Sequence, residues 1–157
     1  MKTAVIFYSF NGNCELVAEE IKTLIGADLI RLYSKDEKKR SRIGKFFWSF
    51  SMVMRKNPPL KPYTFDAAVY DLIVIGAPVW GGSPASPIRT FISESGLTGK
   101  KIALFVSHAG GMGNAIEKFK VSLAGNEIIA EAEFKDPVKG RKERIKKKIA
   151  EWVKTFN

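Results

Sequence analysis

Short apolar runs punctuated by glycine, proline and asparagine constrain this chain more than any other feature of its sequence. Residues 4–8, 72–76 and 102–106 are almost wholly apolar, residues 127–134 less cleanly so, and residues 28–32 form a shorter candidate. A run without polar alternation suits a strand buried on both faces, as in a parallel sheet covered by helices.

Helical patterns lie between the runs. Residues 14–25 place Leu16, Val17, Ile21, Leu24 and Ile25 on one face, with acid in the first turn where the helix dipole favours it, and Gly26 supplies a stop. Residues 87–95, 112–124 and 141–156 read as further helices. In the last, Ile145, Ile149, Trp152, Val153 and Phe156 recur at helical spacing and the other face is lysine. Strand and helix alternate, which predicts a doubly wound α/β domain with right-handed crossovers and helices on both faces. One domain is expected over residues 1–157. The connection from Tyr33 to Ala68 is longer than a normal crossover, so a helix and an irregular excursion through Asn57-Pro58-Pro59-Leu60-Lys61-Pro62 are expected there.

At 157 residues and 45% hydrophobic content, the chain is long enough for a single core. No apolar run approaches the roughly 20 residues of a bilayer span, and the first residues lack a signal-peptide pattern, so a soluble cytoplasmic protein is expected. Cys14 is the only cysteine, which excludes an internal disulfide and a cysteine-based metal cage. The net charge of +10 is uneven: residues 31–61 carry ten lysines and arginines against two acids, and residues 135–157 nine against three. Such regional basicity favours anionic partners, among them an acidic protein.

In open α/β sheets, ligands bind beyond the carboxyl ends of the strands, and three loops there are unusual together. The first is Ser9-Phe10-Asn11-Gly12-Asn13-Cys14, between a strand and a helix. Small polar side chains and one glycine allow backbone N–H groups to close around an anion at a helix amino end, although Ser9 and Asn11 would serve equally as helix caps. The loop is neither Gly-x-x-x-x-Gly-Lys-Ser/Thr nor Gly-x-Gly-x-x-Gly, which disfavours ATP and NAD. In the second, Gly76-Ala77-Pro78-Val79-Trp80-Gly81-Gly82-Ser83-Pro84, a tryptophan set between proline and two glycines offers a flat face to a planar ligand or else covers the sheet edge. The third, Ser107-His108-Ala109-Gly110-Gly111-Met112-Gly113-Asn114, has glycines that leave backbone groups bare for close approach.

In order and spacing, these loops resemble those of flavodoxins, and most closely the short-chain flavodoxin-like proteins whose stacking loop reads Pro-Val-Trp. The resemblance covers nearly the whole chain and implies a five-stranded parallel sheet in the order 2-1-3-4-5. It also implies non-covalently held FMN that cycles between oxidised and reduced states. Carried over by position, Ser9, Phe10, Asn11, Gly12, Asn13 and Cys14 would form the phosphate loop. Pro78, Val79 and Trp80 would form the ring-stacking loop, with a backbone carbonyl of Gly81 or Gly82 near the reactive ring nitrogen. Ser107, His108, Ala109, Gly110, Gly111 and Gly113 would form the second ring loop.

Three departures stand out. Asn11 and Cys14 replace the threonines usual in the phosphate loop, at about 1 kcal/mol per neutral hydrogen bond lost. The second ring loop has no tyrosine, which leaves the ring face more open. The chain is basic where classical flavodoxins are acidic, so a less negative reduction potential is expected.

Single residues have ordinary readings too. Cys14 in an anion loop resembles a phosphatase nucleophile, but the arginine needed six residues on is Glu20. His108, the only histidine, has no acidic partner in its own motif. Residues 34–56 begin with Ser34 and Glu37 as a capping box and read as a basic, aromatic amphipathic helix that either packs on the sheet or docks on an anionic membrane or acidic partner. The lysines after Lys139 imply nonspecific attraction at most, with no specific nucleic-acid site.

Electron carriage is the leading expectation. An FMN-dependent NAD(P)H oxidoreductase acting on a quinone or similar acceptor is the second, and a flavin-free basic binding module on the same fold the third.

Overall fold

In the computed structural model, residues 1–35 and 57–156 are described. The sheet is built from β1 (Thr3–Tyr8), β2 (Asp28–Leu32), β3 (Leu72–Trp80), a two-residue β4 (Ser83–Pro84), β5 (Lys101–His108) and β6 (Glu127–Lys135). Its order is β2-β1-β3-β5-β6, with every pairing along that path parallel. β4 lies off the path, antiparallel to the end of β3. With that short hairpin arm set aside, the order is the expected 2-1-3-4-5.

Alternate residues of the three central strands go to opposite cores. Ile6 and Tyr8 of β1, Ile73, Ile75 and Ala77 of β3, and Ile102, Leu104 and Val106 of β5 pack with α2 (Ser86–Ser95) and α3 (Ala115–Ser122) on one face. Val5 and Phe7, Leu72 and Val74, and Ala103 and Phe105 pack with α1 (Asn13–Ile25) and α4 (Lys142–Val153) on the other. Burial on both faces explains why these segments read as unbroken apolar runs. Phe105, Phe134, Trp152 and Phe156 join edge to face beneath α4, with centroids 4.8–6.0 Å apart. A Cβ at Gly76 would lie 2.1 Å from the Phe105 ring, so this glycine serves packing between paired strands.

Gly26 ends α1 in the left-handed conformation, its N–H bonded to the Lys22 carbonyl at 2.8 Å. Two expected boundaries move. The helix expected over residues 112–124 begins only at Ala115, because Gly111 and Gly113 take positive φ. The strand expected to stop at Gly76 continues to Trp80. The expected excursion after residue 56 runs back alongside Tyr33–Lys35: Lys35 donates to the Pro59 carbonyl and Lys61 to that of Tyr33, each at 2.8 Å. The helix expected over residues 34–56, with its membrane or partner surface, lies almost wholly outside the described residues. Among those described, no helix is long and apolar enough to cross a membrane.

Candidate functional site

The site is assembled where β3 and β5 outrun β1. Pairing of β1 with β3 ends at Phe7 opposite Gly76, whereas β3 stays paired with β5 as far as Pro78 opposite Ser107. Pro78, which lacks an N–H, is therefore tolerated within the central strand β3, because on one side β1 has already turned away. Its carbonyl accepts from the Ala85 amide at 2.9 Å.

The first loop leaves β1 at Ser9 and enters α1 through Gly12, whose φ of 89° lies in the left-handed region where a side chain is strained. Its side chains do act as partial caps: Ser9 Oγ accepts from the Glu15 amide at 3.2 Å, and Asn11 Oδ1 from the Asn13 amide at 3.4 Å. Nothing among the described residues accepts from the amides of Asn11, Gly12 or Cys14. Three unclaimed N–H groups thus lie at the positive end of a helix, where the dipole favours an anion.

Two residues of this loop turn their side chains elsewhere. Asn13 Oδ1 accepts from the Val138 amide at 2.9 Å, tying the helix start to the segment after β6. Cys14 is 1% exposed and its Sγ lies 3.1 Å from Ser107 Oγ at the end of β5. Burial pushes this thiol up to about 12, against the lowering effect of the Ser107 hydrogen bonds. Cys14 thus offers an anion its backbone N–H and no thiolate, and the phosphatase-like reading loses its nucleophile.

The tryptophan loop is a tight hairpin. Trp80 pairs with Ser83 across Gly81 and Gly82, whose φ values of 57° and 67° are the two positive angles of a type I′ turn. Trp80 is half-buried, and its indole stands perpendicular to Tyr8 (centroids 5.6 Å, 82°) and to Phe10 (6.2 Å, 84°). The second contact ties the tryptophan hairpin to the anion loop.

Ser107 and His108, expected in the third loop, are the last residues of β5, and Ser107 is buried. Ala109, Gly110 and Gly111 follow in the open. Gly113 returns against the hairpin so closely that a Cβ there would sit 3.3 Å from Gly82 Cα. Lys118 Nζ also donates to Ser83 Oγ at 2.8 Å. The tryptophan hairpin and the glycine loop therefore form one continuous wall.

His108 has a partner that its own motif did not show: Nε2 lies 3.0 Å from Glu133 Oε2 on β6. A residue missed by sequence reasoning is Arg31. It arrives from β2, donates from Nη2 to the Ser9 carbonyl at 3.3 Å and forms an ion pair with Glu15. These contacts join a strand to a helix and a loop, 16 and 22 residues away, which periodicity does not reveal. Beyond β6, a cleft of about 240 Å³ is lined by Lys135, Gly140, Arg141, Arg144, Ile145 and Lys148. Among the described residues, Lys135, Arg141 and Arg144 form no ion pair, whereas Lys146 on α4 binds Glu20 at 2.9 Å. No group of three His, Cys, Asp or Glu side chains among the described residues could hold a metal ion.

Free amides after the first strand, a braced indole and a glycine wall thus lie together at one end of a doubly wound sheet. The sequence matches the Flavodoxin family model over residues 2–156, and the chain belongs to that family. A flavoprotein from Lactobacillus acidophilus NCFM, solved in complex with FMN, is similar in structure at a TM-score of 0.72 and 25% identity, over 87% of this chain and 95% of that one. A Bacteroides uniformis ATCC 8492 chain superposes at a TM-score of 0.78 with 19% identity, covering 94% and 97%. Two-electron reduced Megasphaera elsdenii flavodoxin does so at 0.60 with 19% identity, covering 97% and 98%. No curated protein matches the sequence significantly.

Proposed function

We propose that this chain binds FMN and carries electrons between partner proteins. The observation that carries the reading is the meeting of the three loops: Phe10 reaches Trp80, and Gly113 reaches Gly82. Those contacts bring the amides of the first loop, the indole and the glycines to one end of the sheet, where a phosphorylated flavin would need them. The amides of Asn11, Gly12 and Cys14 and the hydroxyl of Ser9 would hold the phosphate. Trp80 would lie against the ring, and the bare backbone of Gly81, Gly82, Gly110 and Gly111 would border its polar edge. FMN supplies reversible one- and two-electron chemistry; the protein binds it, orients it and sets the surrounding field.

An acidic redox partner fits the cationic cleft at Lys135, Arg141 and Arg144, since charges without internal partners remain available to steer an anionic surface. A second reading, an FMN-dependent NAD(P)H oxidoreductase, is favoured by the third loop. There Ala109, Gly110 and Gly111 are exposed and the loop itself carries no tyrosine, which would leave room for a second substrate.

Steady-state assays of the FMN-loaded protein with NADH or NADPH, and a quinone or dye as acceptor, separate the readings. The carrier reading predicts no turnover by the protein alone, together with rapid reduction by an added flavodoxin reductase. Sustained turnover without a reductase would replace it with the enzyme.

A further inference from the structure

The loop after β1 holds no lysine or arginine, yet a cation reaches it from the neighbouring strand. Arg31 stands opposite Phe7 in the β1–β2 register. Its Nη1 is paired with Glu15 Oε1, and its Nη2 donates to the Ser9 carbonyl at 3.3 Å. The guanidinium also lies 5.1 Å above the Tyr33 ring. The contacts close on themselves, because the Glu15 amide donates to Ser9 Oγ. Ser9 is therefore held at its carbonyl by Arg31 and at its hydroxyl by Glu15, and Arg31 joins the two residues.

Glu15 lies in the first turn of α1, beside the unclaimed amides of Asn11, Gly12 and Cys14. An isolated carboxylate there suits the helix dipole but opposes a bound phosphate dianion, since like charges at a shared site repel. Arg31 removes that opposition by pairing with the carboxylate. It is only partly exposed, with 27% of its side-chain surface accessible, and a guanidinium held by two oxygens is fixed in orientation.

We propose that Arg31 is the residue that makes this site select a phosphorylated flavin over an unphosphorylated one, by cancelling the Glu15 charge and fixing Ser9 at the phosphate loop. The proposal rests on the flavin-binding reading above. Arg31 is a positioning residue: it acts on the phosphate end and leaves the ring end untouched.

The test is titration of the full chain with FMN and, separately, with riboflavin, for the wild type, Arg31→Met, Arg31→Lys and the double variant Arg31→Met with Glu15→Gln. Arg31→Met is expected to weaken FMN binding about tenfold or more and riboflavin binding less than about twofold. Adding Glu15→Gln to Arg31→Met should restore part of the FMN affinity, because the unmatched carboxylate is gone. Arg31→Lys should lie between wild type and Arg31→Met for FMN alone. Equal losses for both flavins would show a merely structural role and overturn the proposal, as would unchanged FMN selectivity in Arg31→Met. A wild type that binds neither flavin overturns the flavin reading and the proposal with it; one that binds FMN while Arg31→Met keeps its selectivity overturns the Arg31 proposal alone.

Discussion

Trp80 stands perpendicular to Tyr8, with ring centroids 5.6 Å apart and an interplanar angle of 82°. Tyr8 is fully buried at the end of β1, so the indole is seated on the core, and Phe10 fixes it from the adjoining loop. A half-buried tryptophan held by two perpendicular contacts is organised before any ligand arrives, which lowers the entropy cost of stacking.

Trp80→Ala should therefore weaken FMN and riboflavin binding by the same factor, about tenfold to a hundredfold, as expected for a stack worth roughly 1–3 kcal/mol. Fluorescence titration with both flavins checks this. A loss confined to FMN would place Trp80 at the phosphate end and contradict the arrangement.

Gly76→Ala should destabilise the fold by about 1–3 kcal/mol or more, because the new Cβ falls 2.1 Å from the Phe105 ring in a dry core. Urea unfolding gives the magnitude. Trimming the ring with Phe105→Leu in the same chain should cost less than the sum of the single changes. Strict additivity would show that the clash is relieved by some other movement.

The order of strands and helices was legible in the sequence because burial on both faces leaves unbroken apolar runs, as in residues 4–8 and 102–106. What periodicity did not show were contacts between distant segments. The Cys14–Ser107, His108–Glu133 and Arg31–Glu15 pairs all join residues that come together only through the sheet order. Composition likewise marked Gly76–Pro84 as a loop, whereas most of it is strand. Val79 and Trp80 are good strand formers, and Gly81-Gly82 needs only two residues to reverse the chain. For Asn13 and Cys14, position at the start of the helix after β1 was readable; the direction of their side chains toward Val138 and Ser107 was not.

Cys14 should resist thiol reagents in the native state near pH 8 and react after unfolding. Its folded-state value of about 12 stands above the ordinary 9.0, so its contribution to stability is complete below about pH 9 and is lost as pH rises toward 12. Native-state labelling with a chromogenic disulfide checks the first point, and urea midpoints between pH 8 and 11 the second. Rapid native labelling at pH 8 would mean that the thiol is not sealed against Ser107.

The +10 charge should raise the reduction potential of bound flavin relative to acidic flavodoxins, because a positive field favours the negative charge that reduction adds. Added salt should lower it again by screening. Redox titrations at low and high salt test both signs. A potential as negative as that of acidic flavodoxins, unmoved by salt, would remove the electrostatic argument.

The most direct test of the account is the visible absorption spectrum of the purified protein, taken before and after addition of FMN, with mass identification of whatever heating releases. The bands of bound oxidised flavin are expected, either on isolation or after addition, with FMN as the released molecule. A colourless protein whose spectrum with FMN is only the sum of its parts would contradict it, and the three loops would then hold something else or nothing.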